Sequence, residues 1–146
     1  RASASIPIAS RPVKLGGKRL LDGGVSDPIP VKWMLSRGYE KNVVVLTRDV
    51  KYRKKANPKM QLFLKAVLHK YPAFLKDLEE RHIHYNETLE ELSALEKEGR
   101  VHIIRPSSPI QAAMIERDES NLERIYQTGR ADMKKDLEKL KAYLDS

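Results

Sequence analysis

The chain has 146 residues, of which 40% are hydrophobic, 33% charged and 6% aromatic, and it contains no cysteine. This length is that of one domain and this composition is typical of a helix-rich soluble protein, while the lack of cysteine excludes disulfide bonds and thiolate metal sites. No apolar run approaches the ~20 residues that a membrane-spanning helix needs.

The formal net charge of +8 comes from the first part of the chain. Residues 1–55 contain 13 Lys or Arg against 4 Asp or Glu, whereas residues 56–146 contain 15 against 16. A basic region of this kind fits an anionic lipid surface, where each basic residue adds ~1 kcal/mol; a solvated basic face is the alternative. Nucleic acid is not expected as a partner, because the sequence has no recognisable binding module and few aromatic residues for base stacking.

The first predicted elements are the end of a helix and a short hairpin. Residues 2–5 are small and compatible with a helix that ends before Ile6-Pro7. Gly16 and Gly17 then separate short apolar runs at residues 13–15 and 18–21, and a Gly-Gly turn between such runs is typical of a β-hairpin.

The sequence Asp22-Gly23-Gly24 is the candidate catalytic motif. Its two glycines allow backbone angles that a side chain forbids, so we expect a strand to stop here. Asp22 would then lie at the carboxyl end of a strand, where α/β sheets bind ligands. Pro28 and Pro30 fix φ twice, and Pro30 can begin a helix. A carboxylate held in this way is suited to be a general base; a merely structural turn is the alternative.

Segments around this motif resemble the patatin-like phospholipase family, serine lipid acyl hydrolases with a Ser-Asp catalytic pair. The segments are Arg-Ala-Ser-Ala-Ser-Ile-Pro at residues 1–7, Arg-Pro-Val at 11–13 and Leu-Asp-Gly-Gly-Val at 21–25. The Asp of the family's Asp-Gly-Gly or Asp-Gly-Ala motif is the base of the pair, so the resemblance implies this role for Asp22. At Asp27 many members have Asn, and the Asp-Pro sequence resembles a bacterial subgroup.

The resemblance implies an α/β fold. Residues 1–146 would be the C-terminal portion of a patatin-like three-layer domain, with parallel strands, packed helices and a helix-rich C-terminal half. The family's nucleophile lies in Gly-x-Ser-x-Gly, a strand-turn-helix elbow, and its oxyanion hole in an earlier Gly-rich loop. Neither occurs in this sequence. We therefore expect the base-bearing part of a longer enzyme, inactive without the portion that carries the nucleophile.

The implied substrate is a lipid or acyl ester, and the implied location is cytoplasmic or at the membrane periphery of a bacterium. Whether the lipid is a phospholipid, a galactolipid, a neutral lipid or a small ester stays open. We expect no metal and no cofactor. The alternative function is a non-catalytic basic domain that binds anionic membrane or nucleic acid.

Two later runs predict parallel strands in one sheet. Residues 42–47 form a continuous β-branched run without alternation, which indicates a strand covered on both faces. Residues 101–104 form the second run, which Pro106 closes, and two predicted helices between the runs favour a crossover connection. The basic run at residues 48–55 would share a sheet edge with Asp22 if the strands are parallel, and could grip a phosphate there.

Four helices are predicted. The first spans residues 30–36 before Gly38, the second runs from Pro58 to near Tyr71, and the third runs from Pro72 to Gly99. The second helix is expected to face inward with Leu62, Phe63, Ala66 and Val67. The third is expected to face inward with Leu78, His82, Tyr85, Leu89 and Leu92.

The final helix is predicted to begin at a capping box of Ser120 and Glu123. Its predicted inward stripe is Leu122, Tyr126, Gly129, Met133, Leu137, Leu140 and Leu144. Ser107 and Ser108 precede it in a loop, and without flanking elbow glycines they are interpreted as turn residues rather than nucleophiles.

His82 and His84 raise the question of a metal site. Residues two apart on a helix point to different faces, whereas paired ligands usually lie four apart. We therefore expect one half-buried and one exposed histidine. We also expect the isolated chain to self-associate, because strands that evolved beside missing neighbours would expose apolar side chains and strand edges.

Overall fold

The computed structural model describes residues 1–7, 9–113 and 116–146 as a mixed α/β structure, which confirms the expected fold class. It divides into two compact units, residues 1–30 with 54–89 and residues 31–53 with 90–146. The elements in chain order are β1 (Val13–Leu15), β2 (Lys18–Leu20), α1 (Val31–Ser36), β3 (Asn42–Val45), α2 (Pro58–Leu68), α3 (Pro72–Lys97), β4 (Val101–Ile104) and α4 (Glu119–Asp145), with 3₁₀ turns at Ala2–Ala4 and Gly23–Val25. Within the described residues, no helix is both long and apolar enough to cross a membrane.

In the first unit, β1 and β2 form the predicted hairpin. The strands are antiparallel, with Val13 opposite Leu20. The two turn glycines have φ of +55° at Gly16 and +74° at Gly17, a left-handed conformation that favours glycine at both positions of a two-residue turn. The hairpin prediction is therefore confirmed.

Asp22 follows the end of a strand, as expected. That strand, β2, belongs to the antiparallel hairpin, and β3 with β4 forms a separate two-stranded sheet. The reason is that the Gly-Gly turn pairs β2 with the strand just before it. Residues 48–55 were expected to share a sheet edge with Asp22 only if their strands were parallel. The strand before Asp22 is antiparallel and lies in a different sheet from β3, so this condition is not met.

Helix α2 begins as predicted, but its inward face is different. The side chain of Asn57 accepts a hydrogen bond of 3.1 Å from the backbone N–H of Met60 and caps the helix. Leu64 is the buried residue, whereas Leu62 is 72% exposed and Phe63 about half exposed. Because apolar residues occupy most of the circumference of α2, the sequence does not single out one face, and the predicted face was wrong.

Helix α3 has the predicted length and the predicted stripe. It begins at Pro72, and Gly99 with φ +72° follows its end. The stripe is half-buried at its first four positions and buried at Leu92. The two histidines lie as expected, with His82 half-buried and His84 exposed between Glu80 and Glu87.

In the second unit, β3 and β4 pair in parallel as predicted. Asn42 lies opposite Val101, and Val45 lies opposite Ile104. The expected coverage of both faces of β3 is wrong, because Val43 is 41% and Val45 69% exposed. The sheet has only two strands among the described residues, and α4 packs mainly on β4. Helix α1 agrees with the prediction to within one residue.

Helix α4 begins at a different cap from the predicted one. The carboxylate of Asp118 accepts hydrogen bonds from the backbone N–H of Ser120 at 3.0 Å and from its hydroxyl at 2.7 Å. Asp118 is therefore the N-cap, and the predicted capping box at Ser120 is wrong. The hydroxyl that would have capped the helix is a donor to the true cap.

The predicted inward stripe of α4 is wrong for five of its seven positions, which are exposed: Leu122, Tyr126, Gly129, Leu137 and Leu144. Met133 and Leu140 of the stripe are half-buried. The side of α4 toward the sheet also makes polar contacts. Asp136 Oδ2 lies 2.5 Å from His102 Nε2 of β4. The hydroxyl of Tyr143 accepts a hydrogen bond of 2.8 Å from the backbone N–H of Asn42. The covered side of α4 is therefore shifted from the predicted stripe and includes only part of it.

Candidate active site around Asp22

Asp22 is fixed through its backbone and through one carboxylate oxygen. Its backbone N–H donates a hydrogen bond of 3.0 Å to the carbonyl of Ser5, a residue that is 6% exposed. Its Oδ1 accepts a hydrogen bond of 2.9 Å from the backbone N–H of Gly24. Asp22 is thereby the N-cap of the 3₁₀ turn Gly23–Val25, and the buried side chain of Val25 holds the other end of that turn.

Gly24 allows this close approach, and Arg81 of α3 holds it in place. Arg81 Nε donates a hydrogen bond of 2.6 Å to the carbonyl oxygen of Gly24. A Cβ at Gly24 would lie 3.3 Å from Asp22 Oδ1, whereas a Cβ at Gly23 would meet nothing within 4 Å. A side chain at Gly24 would therefore press on the Asp22 carboxylate, whereas one at Gly23 would have open space.

The arrangement leaves one oxygen of Asp22 available for chemistry. Oδ1 is occupied by the Gly24 amide, and among the described residues no hydrogen bond joins Oδ2 to another group. The residue is half-buried rather than enclosed. A carboxylate with one oxygen fixed and the other open can accept a proton from a group that approaches within ~2.6–3.2 Å.

An apolar groove of about 480 Å³ is lined by Leu21, the residue before Asp22, but not by Asp22 itself, and we call it the Tyr71 groove. Leu21 and Arg19 form one side, and Val67, Leu68, Tyr71 and Phe74 contribute to the rest. Arg19 Nη1 donates a hydrogen bond of 2.7 Å to the hydroxyl of Tyr71. The volume is within the usual range of ligand pockets, about 300–1,000 Å³. The sequence did not predict this groove, because its sides come from segments about 50 residues apart.

Two arginines of the basic run at residues 48–55 contact their own neighbours in the chain. The guanidinium of Arg53 donates hydrogen bonds to the carbonyls of Val50 at 3.1 Å and Tyr52 at 2.8 Å. Arg48 stacks over the ring of Tyr52, at 4.9 Å from its centroid. The two guanidiniums therefore contact their own neighbours in the chain rather than forming a joint phosphate cradle.

Ser107 is a turn residue in the structure, as interpreted from the sequence. Its backbone N–H donates a hydrogen bond of 3.0 Å to Asp132 Oδ2. This bond, with one from the Ser107 hydroxyl, lowers the pKa of Asp132, which makes that carboxylate a weaker proton acceptor. Within the described part of the chain, no group of three His, Asp or Glu side chains could hold a metal ion.

Two family models match the chain in separate regions. Residues 71–145 match a domain of unknown function, DUF6363. Residues 1–35, which include Asp22, match the patatin-like phospholipase family. The patatin-like resemblance thus covers the first 35 residues, and it does not extend over the whole chain as the sequence led us to expect. No curated protein and no solved structure matches the chain.

Proposed function

The chain belongs to the DUF6363 family, and from its patatin-like segment we propose that it is the base-bearing part of a serine lipid acyl hydrolase. Asp22 is the proposed base. The proposed context is the C-terminal portion, residues 1–146, of a patatin-like three-layer domain in a cytoplasmic or membrane-peripheral bacterial protein. The parallel pairing of β3 with β4 supports this arrangement.

The proposed reaction uses a serine that these residues do not provide, since the sequence contains no Gly-x-Ser-x-Gly. The serine attacks the ester carbonyl while Asp22 accepts its proton, and Asp22 gives this proton to the leaving alcohol as the acyl-enzyme forms. Water then attacks the acyl carbonyl while Asp22 accepts a proton from it, and Asp22 returns this proton to the serine oxygen as the fatty acid leaves. No histidine stands between the two groups in this scheme, so Asp22 must reach the serine directly, at ~2.6–3.2 Å.

The observation that carries the proposal is the state of the Asp22 carboxylate. It lies inside the patatin-like segment, with Oδ1 held by the Gly24 amide and Oδ2 open. A capping aspartate with only a structural role can have the same geometry, so the position of Asp22 inside the patatin-like segment is what favours the catalytic role. The Tyr71 groove supports the same proposal, because an apolar surface that reaches Leu21, the residue before the base, suits the hydrocarbon part of a lipid.

A fluorophosphonate probe, which labels activated serines, tests the proposal. We expect no labelling of the chain of 146 residues, and labelling of a serine outside it in a longer protein that contains it. Mass spectrometry locates the labelled residue. Stoichiometric labelling of Ser107, Ser108 or any other serine within the 146 residues would overturn the proposed division of the active site.

The second candidate function is a non-catalytic basic domain that binds anionic membrane or nucleic acid. One observation favours its membrane form. Cationic side chains lie opposite each other on the β1–β2 hairpin beside an exposed leucine. This function requires no role for Asp22, so Asp22→Asn separates the two candidates.

A further inference from the structure

The hairpin places like charges opposite each other. Lys14 and Arg19 are cross-strand partners in the register of β1 and β2, and both are exposed. Like charges directly opposite each other destabilise a hairpin. At the tip, Leu15 lies opposite Lys18 and is 68% exposed. The hairpin thus combines three cations with an unburied leucine, an arrangement that stability alone does not explain.

Exposed apolar residues continue from the hairpin onto the neighbouring helix. Val67 and Tyr71, which line the Tyr71 groove with Arg19, are 48% and 46% exposed. The hydrogen bond between Arg19 and the Tyr71 hydroxyl joins one face of the hairpin, which also bears Lys14, to these apolar side chains. Leu15 and Lys18 alternate to the other face, at the tip of the hairpin. We call the hairpin tip together with the two helix residues the docking face, since a tip that enters the headgroups presents both of its faces; it consists of Lys14, Leu15, Lys18, Arg19, Val67 and Tyr71.

We propose that the docking face binds the surface of an anionic phospholipid bilayer. This rests on the proposed function, because a lipid hydrolase must reach a substrate that lies in a membrane. Cations attract anionic headgroups, and apolar side chains beside them enter the boundary between headgroups and acyl chains. The first unit, which contains the docking face, carries 12 Lys or Arg against 6 Asp or Glu and is complementary to such a surface, whereas the second unit carries 16 against 14.

A nucleic acid is a poorer fit to the same residues. Phosphates would neutralise Lys14, Lys18 and Arg19, but Leu15 and Val67 would stay exposed to water. The docking face has one tyrosine and lacks the row of aromatic side chains on which bases stack. The bilayer is the partner that satisfies both the cations and the apolar side chains.

Cosedimentation with vesicles tests the proposal. The probes are vesicles of phosphatidylcholine alone and of phosphatidylcholine mixed with phosphatidylglycerol. We expect binding to the mixed vesicles, and weaker binding as ionic strength rises from about 0.01 M to 0.1 M, because the screening length falls from ~30 Å to ~10 Å. Equal binding to both kinds of vesicle, or none to the mixed ones, would overturn the proposal.

Single substitutions in the docking face identify the surface. Lys14→Gln and Lys18→Gln should each weaken binding about fivefold, which corresponds to ~1 kcal/mol per basic residue. Leu15→Gln should weaken it about tenfold, because a leucine side chain no longer leaves water. The matched controls are Lys134→Gln on α4 and Leu62→Gln on α2, both at exposed positions outside the docking face. Equal losses in the controls would place the contact elsewhere on the chain.

Two further measurements exclude other ligands and separate this proposal from the hydrolase. A monomeric fatty acid that binds in the Tyr71 groove and leaves no affinity for vesicles would make the surface a ligand site and overturn bilayer docking. A single-stranded RNA that displaces the chain from vesicles through Lys14 and Arg19, with Leu15→Gln having no effect, would do the same. Asp22→Asn should bind vesicles like the wild type, so lost hydrolysis with retained binding distinguishes the two proposals.

Discussion

Arg81 Nε donates a hydrogen bond of 2.6 Å to the carbonyl oxygen of Gly24, and this bond ties helix α3 to the turn that carries Asp22. The amide of Gly24 in turn donates to Asp22 Oδ1. Both polar atoms of Gly24 are thus engaged, and a hydrogen bond from a charged donor is stronger than a neutral one. The orientation of the Asp22 carboxylate therefore depends on a helix about 60 residues further along the chain.

Asp22→Asn should lower acyl-ester turnover by about 10²–10⁴-fold in a protein that contains both this chain and the nucleophile, since this is the usual contribution of a positioned base. The amide oxygen of Asn can still accept from the Gly24 N–H, so the thermal midpoint should stay close to that of the wild type. Steady-state hydrolysis of a chromogenic acyl ester measures the effect.

Asp27→Asn is the matched control for this substitution. Asp27 lies in the same loop and is exposed. The same loss of charge there should leave turnover within about twofold, because exposed charges interact weakly across water. Turnover like the wild type in Asp22→Asn, or equal losses in both variants, would remove Asp22 from the mechanism.

Gly24→Ala should impair catalysis, whereas Gly23→Ala should not. A Cβ at Gly24 would lie 3.3 Å from Asp22 Oδ1, so the carboxylate must move by a few tenths of an ångström, while Gly23 has open space. Displacements of this size matter for a base that has to meet its partner at hydrogen-bond distance. We expect a turnover loss of tenfold or more for Gly24→Ala only. Equal activities of the two variants would contradict the geometry of the turn.

Local signals in the sequence predicted the parts of the fold that depend on near neighbours. The Gly-Gly turn determined the hairpin, since both glycines need a left-handed φ. The 3.6-residue period of α3 determined its stripe, because polar residues fill its other faces. The apolar runs at residues 42–47 and 101–104 predicted the strands β3 and β4 and their parallel pairing. The sequence also identified the Asp22 motif. Its turn is closed by a hydrogen bond from the backbone N–H of Gly24 to Asp22 Oδ1, two residues apart.

The contacts that the sequence did not predict are those between distant segments. Arg81 lies on the half-buried side of α3, and nothing in its spacing indicates a partner at Gly24. The orientation of α4 depends on Asp136 against His102 and on Tyr143 against Asn42, whereas the apolar period predicts a stripe of which only Met133 and Leu140 are half-buried. A hydrophobic period identifies one face of a helix, but it does not say whether another element covers it.

The corrected face of α2 predicts a contrast between two neighbouring leucines. Leu64 is 8% exposed and Leu62 is 72% exposed. Leu64→Ala should lower the free energy of unfolding by about 2–5 kcal/mol, whereas Leu62→Ala should change it by less than about 0.5 kcal/mol. Chemical denaturation of the two variants measures the difference. A larger cost at Leu62 would restore the face predicted from the sequence.

The hydrogen bonds of the Glu116 carboxylate predict that the free energy of unfolding depends on pH in the acid range. Its carboxylate accepts hydrogen bonds from the backbone N–H of Asp118, the side chain of Asn121 and the backbone N–H of Arg117, which lower its pKa from 4.5 to about 2. A depressed folded-state pKa stabilises the fold above the unfolded value of about 4.5, and this stabilisation is lost as the pH falls toward 2.

The expected result is a Glu116 carboxyl that titrates near pH 2 in an NMR experiment on the folded protein. Glu116→Gln should be less stable than the wild type at pH 6, and the difference should shrink as the pH falls from 5 to 2. A titration midpoint above 4, or a difference that is independent of pH, would contradict the hydrogen bonds at this loop.

Exposed apolar residues of the second unit bear on self-association, which we propose for this chain. Val43 and Val45 of β3 are exposed, and β3 pairs only with β4 among the described residues. An unpaired strand edge is a ready site for pairing with a second chain. On α4, four apolar side chains of the predicted inward stripe lie in water instead: Leu122, Tyr126, Leu137 and Leu144.

We therefore expect the chain to form a dimer through this unit, because burial of apolar surface is favourable by ~25 cal/mol per Å². The interface should exceed ~1,000 Å², the area that a stable dimer needs. Light scattering across a dilution series measures the state. Leu137→Gln combined with Leu144→Gln should shift the protein toward monomer, because polar amides replace two side chains that the partner would cover. Leu15→Gln combined with Leu62→Gln changes two exposed leucines of the first unit and should leave the dimer intact. A monomer at every concentration would count against self-association, and equal effects of the two double variants would move the interface away from α4, because only one of them alters that helix.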